Sequence, residues 1–132
     1  MSIDPNMTVL VIDDSLIMRK IIKNHLHSMG ITAIFEAANG KKALDILAQE
    51  KVDLILSDWC MKGMHGIEVL KRVRSADHTR DIPFIMVTAE AQPHLILEAV
   101  QAKVSEYVVK PFTRDTLAES IDKVFSLGAP VI

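Results

Sequence analysis

Five residues able to do chemistry stand in related places along this chain. Asp13 and Asp14 follow the apolar run Val9-Leu10-Val11-Ile12, and Asp58 follows Leu54-Ile55-Leu56 after Ser57. Thr88 closes Phe84-Ile85-Met86-Val87, and Lys110 follows Tyr107-Val108-Val109. If these runs are strands of one parallel sheet, all five side chains project from the same end. Three carboxylates gathered there repel one another, and a hard divalent cation that prefers oxygen, such as Mg²⁺, is the natural compensation. Lys110 is a compact cation able to neutralise an anion arriving beside the metal, and the Thr88 hydroxyl can donate a hydrogen bond to it. Carboxylates, metal, hydroxyl and ammonium together describe a phosphoryl-transfer site in which one Asp is the nucleophile. Singly, each residue has a plainer reading. An Asp after a strand forms turns or caps, a Thr ends strands, and a Lys is a solvated surface charge. The matched placement at four strand ends carries the inference.

The elements that must position these residues are legible in the hydrophobic pattern. With Ala33-Ile34-Phe35 added, five apolar runs punctuate the chain. They are continuous rather than alternating, as strands covered on both faces should be. Between them lie helical repeats: Met18, Ile22, Leu26 and Met29; Ala43, Leu44 and Leu47; Ile67, Leu70 and Val73; Ile96, Ala99 and Val100; Leu117, Ile121, Val124 and Phe125. Gly30 is placed to stop the first helix, Asn39-Gly40 to turn into the second, and Thr113 to cap the last. Strand then helix, five times over, predicts an α/β fold: a doubly wound, five-stranded parallel sheet with helices on both faces. Such a sheet binds ligands beyond the carboxyl ends of its strands, where the strand order reverses.

Composition narrows the function classes. The 132 residues, 49% of them hydrophobic, are enough for one domain spanning 1–132 with its core over about 8–127, and leave no room for a second effector domain. Fifteen Lys plus Arg against seventeen Asp plus Glu argue against a nucleic-acid-binding surface. One cysteine, Cys60, excludes a disulfide framework and a multi-thiolate zinc site, and fits a reducing compartment. The first residues carry no basic segment followed by an apolar core, and no apolar run is long enough to span a bilayer, so the chain is read as cytoplasmic. The five histidines show no ligand-like clustering and are read as surface or loop residues.

The sequence resembles the receiver domains of two-component response regulators, and among them the stand-alone chemotaxis regulators of the CheY type. The resemblance runs from about Thr8 to Leu127. It rests on the Asp13-Asp14 pair, on Asp58-Trp59-Cys60-Met61 followed by Gly63-Met64-His65-Gly66, on Met86-Val87-Thr88-Ala89-Glu90-Ala91, and on Tyr107-Val108-Val109-Lys110-Pro111-Phe112-Thr113. It implies the flavodoxin-like (βα)5 fold, and a phosphoacceptor signalling protein rather than an enzyme. Asp58 would accept a phosphoryl group from a histidine kinase; Asp14, Asp58 and the Cys60 carbonyl would bind Mg²⁺, with Asp13 holding it through water. Thr88, Ala89 and Lys110 would contact the phosphoryl oxygens. Tyr107 would turn inward as Thr88 moves, reshaping an output face that includes Ala91, Ile96, Val100, Tyr107, Val109 and Lys123. The resemblance further implies a cis peptide at Lys110-Pro111, a tuning of dephosphorylation by Cys60 and Glu90, and a monomer whose partners are a chemotaxis-type histidine kinase, the flagellar motor switch protein and a phosphatase.

Departures from that pattern matter as well. Lys62 stands where the family commonly has Pro. Gln92, Pro93 and Ser120 stand where well-known members carry Lys, and Lys103 and Glu106 where small residues are usual. The changed face keeps a second reading open: a phosphate sink or phosphorelay shuttle that docks on no motor. Two unrelated readings fit worse. A haloacid-dehalogenase-type phosphatase needs Asp, any residue, Asp at the first strand, whereas here the pair is adjacent. A flavodoxin-type carrier would bring its flavin phosphate against Asp13 and Asp14, which repel it.

Overall fold

A computed structural model of the chain describes residues 3–127. Its elements alternate throughout: β1 (Thr8–Ile12), α1 (Leu16–Ser28), β2 (Ala33–Ala37), α2 (Gly40–Gln49), β3 (Leu54–Ser57), α3 (Gly66–Ser75), β4 (Phe84–Thr88), α4 (Pro93–Gln101), β5 (Glu106–Val109) and α5 (Arg114–Leu127). The strands pair in parallel in the order β2-β1-β3-β4-β5, so the order reverses between β1 and β3. The α/β sheet expected from the sequence is the sheet observed.

Strand alternation divides the core in two. Leu10 and Ile12 of β1, Ile55 of β3 and Phe84 and Met86 of β4 face a cluster closed by α2, α3 and α4. Their neighbours Val9, Val11, Leu54, Leu56, Ile85 and Val87 face the opposite cluster, closed by α1 and α5. Each inner strand is therefore buried on both faces, which is why its sequence is a continuous apolar run. The expectation of cover on both faces fails at the two edge strands: β2 is partly open, with Ala33 exposed, and β5 leaves Val109 41% exposed. An edge strand has one neighbour instead of two, and less of its surface is sheltered. Phe125 departs in the same way, 39% exposed although it falls in the apolar repeat of α5, whose buried positions are Leu117, Ile121 and Val124.

The terminators act where the sequence puts them. Gly30 adopts φ 89°, and its N–H donates to the His27 carbonyl at 2.9 Å while that of Ile31 donates to Leu26 at 3.0 Å, a left-handed stop for α1. Asn39 Oδ1 accepts the Lys42 N–H at 2.8 Å, and Thr113 Oγ1 accepts that of Thr116 at 3.1 Å. The end of α4 has the same geometry as that of α1 but without a glycine. Lys103 sits at φ 68°, its N–H bonded to Val100 and that of Val104 to Ala99, both at 3.0 Å. Among the described residues no helix is long and apolar enough to cross a membrane.

Candidate functional site

The site is built at the reversal of strand order. The N–H of Asp13 donates to the Ala37 carbonyl at 3.1 Å, so the residue after β1 is still held by the edge of β2 and its side chain turns inward, 1% exposed. Asp13 Oδ1 accepts the Ser15 N–H at 2.9 Å, and Ser15 Oγ caps α1 by accepting the Met18 N–H at 3.2 Å. Asp58 arrives from β3 with its N–H on the Ile12 carbonyl at 2.9 Å, which brings it alongside Asp13. Its Oδ1 accepts the Trp59 N–H at 2.7 Å, leaving Oδ2 toward Lys110.

Lys110 comes from the far side of the sheet. Its N–H is fixed to the Thr88 carbonyl at 2.9 Å, the Lys110-Pro111 peptide is cis as the resemblance implied, and the side chain crosses the end of β4. Nζ donates to Asp13 Oδ2 at 2.9 Å and lies 3.5 Å from Asp58 Oδ2. Carboxylate oxygens of Asp13, Asp14 and Asp58 lie within 4.8 Å of one another. One ammonium does not balance three carboxylates. The set is all oxygen, grading from buried Asp13 through half-buried Asp58 to exposed Asp14, which suits a hard divalent cation with water or an anion on its open side.

Three supporting residues carry no chemistry of their own, and what they touch is not encoded in the local sequence pattern. Gly66 opens α3 against the backbone of Asp58; a Cβ there would overlap the Asp58 carbonyl oxygen. Ser57, fully buried, donates from Oγ to that same oxygen at 2.9 Å. Arg19 donates from Nη1 to the Asp13 carbonyl at 2.6 Å and from Nε to Glu36 at 3.0 Å, tying the acidic loop to the edge strand. A Gly eight residues after an Asp is an unremarkable spacing, and Arg19 reads as one more helix cation. Only the assembled backbone shows what they touch.

The neighbouring rim converges on Glu90. Thr88 is buried and its Oγ1 accepts the Glu90 N–H at 3.2 Å, while Ala89 is exposed beside it. Cys60, exposed, donates from Sγ to Glu90 Oε1 at 3.2 Å, and Tyr107 donates its hydroxyl to the Glu90 carbonyl at 2.6 Å. The hydrogen bond to Glu90, then burial and the negative charges of Glu90, Asp58 and Asp14, push the Cys60 thiol up to about 11. Burial, then the charges of Glu90, Asp58 and Cys60, push Tyr107 up to about 12. Both groups are therefore neutral donors near neutral pH. Of the residues read as an output face, Ile96, Val100 and Tyr107 are half-buried and Ala91, Val109 and Lys123 exposed. Lys123 Nζ lies 3.5 Å from Glu106 Oε2, an ion pair between α5 and β5. The histidines are exposed as expected except His25, half-buried with its ring 5.9 Å from that of Phe112.

A doubly wound sheet with an acidic pocket at its switch point and a lysine reaching in from the last strand defines a class of small α/β signalling domains. Residues 9–122 match the family of response regulator receiver domains, and the chain belongs to that family. It is 46% identical over 119 residues to the chemotaxis protein CheY of Pseudomonas aeruginosa, covering 90% of this chain and 96% of that one. It is 43% identical over 123 residues to the chemotaxis protein CheY-3 of Vibrio cholerae, covering 93% and 95%. The solved structure of the chemotaxis response regulator CheY4 of Vibrio cholerae superposes with a TM-score of 0.83 at 32% identity, covering 90% of this chain and 99% of that one.

Proposed function

We propose that this receiver works as a phosphorylation-controlled binding module of bacterial chemotaxis, with Asp58 as the phosphoacceptor. The observation that carries this reading is the pairing of an inward-facing Asp58 Oδ2 with Lys110 Nζ at 3.5 Å inside a three-carboxylate pocket. Asp58 Oδ1 accepts the Trp59 N–H, and Oδ2, held toward Lys110, is the oxygen placed to attack. It forms the new P–O bond as the bond from phosphorus to the donor histidine nitrogen breaks, and the imidazole leaves with a proton. Asp14, Asp58 and the Cys60 carbonyl would hold Mg²⁺, with Asp13 acting through water. The ion would supply charge neutralisation between the carboxylates and the incoming phosphoryl group.

The chain's own groups then respond. Lys110 exchanges part of its contact with Asp13 for a phosphoryl oxygen, the Ala89 backbone meets another, and the Thr88 hydroxyl turns from the Glu90 N–H toward the new charge. That turn loosens the β4-α4 connection on which Tyr107 is hydrogen-bonded, and a shift of Tyr107 alters the face of α4, β5 and α5. Cys60 and Glu90, in contact at the rim, set how readily water reaches the phosphoaspartate. The partners are a cytoplasmic chemotaxis-type histidine kinase, a phosphatase, and the flagellar switch protein. A phosphate sink is the second reading, favoured by the Glu106–Lys123 ion pair that engages a cation of the output face.

The test is phosphotransfer followed by docking. Label should pass from a phosphorylated chemotaxis kinase to the protein with Mg²⁺ and not with EDTA. After activation by beryllofluoride and Mg²⁺, followed through Trp59 fluorescence, binding to the N-terminal peptide of the flagellar switch protein should tighten. Confirmed activation without docking establishes the sink instead, and absence of phosphotransfer refutes both.

A further inference from the structure

Away from the acidic pocket, α2 and the second half of α3 diverge over a groove of about 480 Å³. Its floor is Leu44, Leu47 and Val73, and it stays open because the flanking side chains Ala48 and Ala76 are too short to fill it. A volume of that size is in the range of sites that take small molecules. The rim adds one feature an ordinary packing defect lacks. Arg72 and His78 border the groove, are exposed, and have no acidic partner among the described residues. Two acids of adjoining segments are engaged elsewhere, Asp45 with Lys41 at 3.6 Å and Asp77 with Arg80 at 3.4 Å. Lys71, also on the rim, is shared with Glu98 at 3.4 Å.

We propose that the α2-α3 groove is a binding site for a small amphipathic carboxylate, its chain or ring lying on Leu44, Leu47 and Val73 and its carboxylate held by Arg72. Charge complementarity selects this occupant. A guanidinium without an acidic partner on the rim of an apolar trough matches an anionic head on an apolar body, and its planar fork takes a carboxylate through two hydrogen bonds. His78 offers a second donor, a ring N–H, on the same rim. The groove lies toward the end of α3 opposite Gly66, so occupancy does not compete with chemistry at Asp58.

The experiment titrates the 132-residue protein with sodium decanoate below its micelle concentration, read by amide chemical shifts. Binding on the order of 0.1–1 mM is expected for a ligand of this size, with shifts centred on Leu44, Leu47, Ala48, Arg72, Val73 and His78. Arg72→Glu should weaken binding about tenfold or more, and decanol should bind about tenfold more weakly than decanoate. Ala48→Leu, which suits a helix and fills the trough, should abolish the shifts while the rest of the spectrum is kept. Equal binding of decanol, no effect of Arg72→Glu, shifts centred elsewhere, or a groove that proves to be a dimer contact vanishing on dilution would each overturn the proposal.

Discussion

Lys110→Met provides the sharpest test of how the acidic pocket is held together. Asp13 is buried, its side chain 2% exposed, and Lys110 Nζ at 2.9 Å is its counter-charge. Removing one partner of a buried ion pair costs about 3–5 kcal/mol, because the remaining charge is left uncompensated. The low end applies, about 3 kcal/mol. Asp13 Oδ1 keeps the Ser15 N–H at 2.9 Å, and the Lys110 side chain is itself 15% exposed, so water reaches the vacated position. Urea unfolding in EDTA, followed by the fluorescence of Trp59, which is 6% exposed and the single tryptophan, should show the midpoint falling by roughly 1.5 M for an m-value near 2 kcal/mol/M. In an Asp13→Asn background the same substitution should cost less, since the nearer and more deeply buried of the two charges it strands is gone and only the 3.5 Å contact with Asp58 remains. A loss under about 0.5 kcal/mol, or an equal loss in both backgrounds, would refute the pairing as a source of stability.

Three smaller predictions concern the frame around the pocket. Lys103→Gly should stabilise the protein by about 1 kcal/mol in the same urea assay, because Lys103 occupies the left-handed region at φ 68° and glycine enters it without steric cost. Cys60 is exposed yet its thiol is held up to about 11, so alkylation by iodoacetamide near pH 8 should be slow, and Glu90→Gln should speed it about tenfold or more. The Lys23 hydrogen bond, opposed by burial and aided by Arg19, lowers the Glu36 carboxyl below its ordinary 4.5. A carboxyl lowered in the folded state stabilises it above the unfolded value, and that contribution disappears as pH falls through the folded one. The stability gap between wild type and Glu36→Gln should therefore be full near pH 6 and shrink below 4.5 in acid titration of the urea midpoint.

Much of this architecture is legible in the sequence because the inner strands are sheltered on both faces. Val9-Leu10-Val11-Ile12 and Phe84-Ile85-Met86-Val87 must be apolar at every position, and that constraint writes an unmistakable signal. Asp13, Asp58 and Lys110 are readable because each stands just past an apolar run, so strand direction fixes the end of the sheet from which they project. The edge strands blur because Ala33 and Val109 face solvent, and residue type there is less constrained. Gly66, Ser57 and Arg19 were not legible as site components. Their roles depend on the approach of backbone segments distant in sequence, as where Gly66 meets the Asp58 carbonyl, and no local periodicity encodes that. The members of the junction at Glu90 were expected at the site, but not their mutual contact: Cys60 and Tyr107 reach Glu90 from segments distant in sequence.

Everything in the proposed function rests on Asp58 taking the phosphoryl group. Intact-mass measurement after incubation with acetyl phosphate tests it without any partner protein. With Mg²⁺ the wild type should gain one phosphoryl group, and Asp58→Asn, or the wild type in EDTA, should gain none. Labelling of Asp58→Asn to the wild-type level, or labelling that persists in EDTA, would contradict the account.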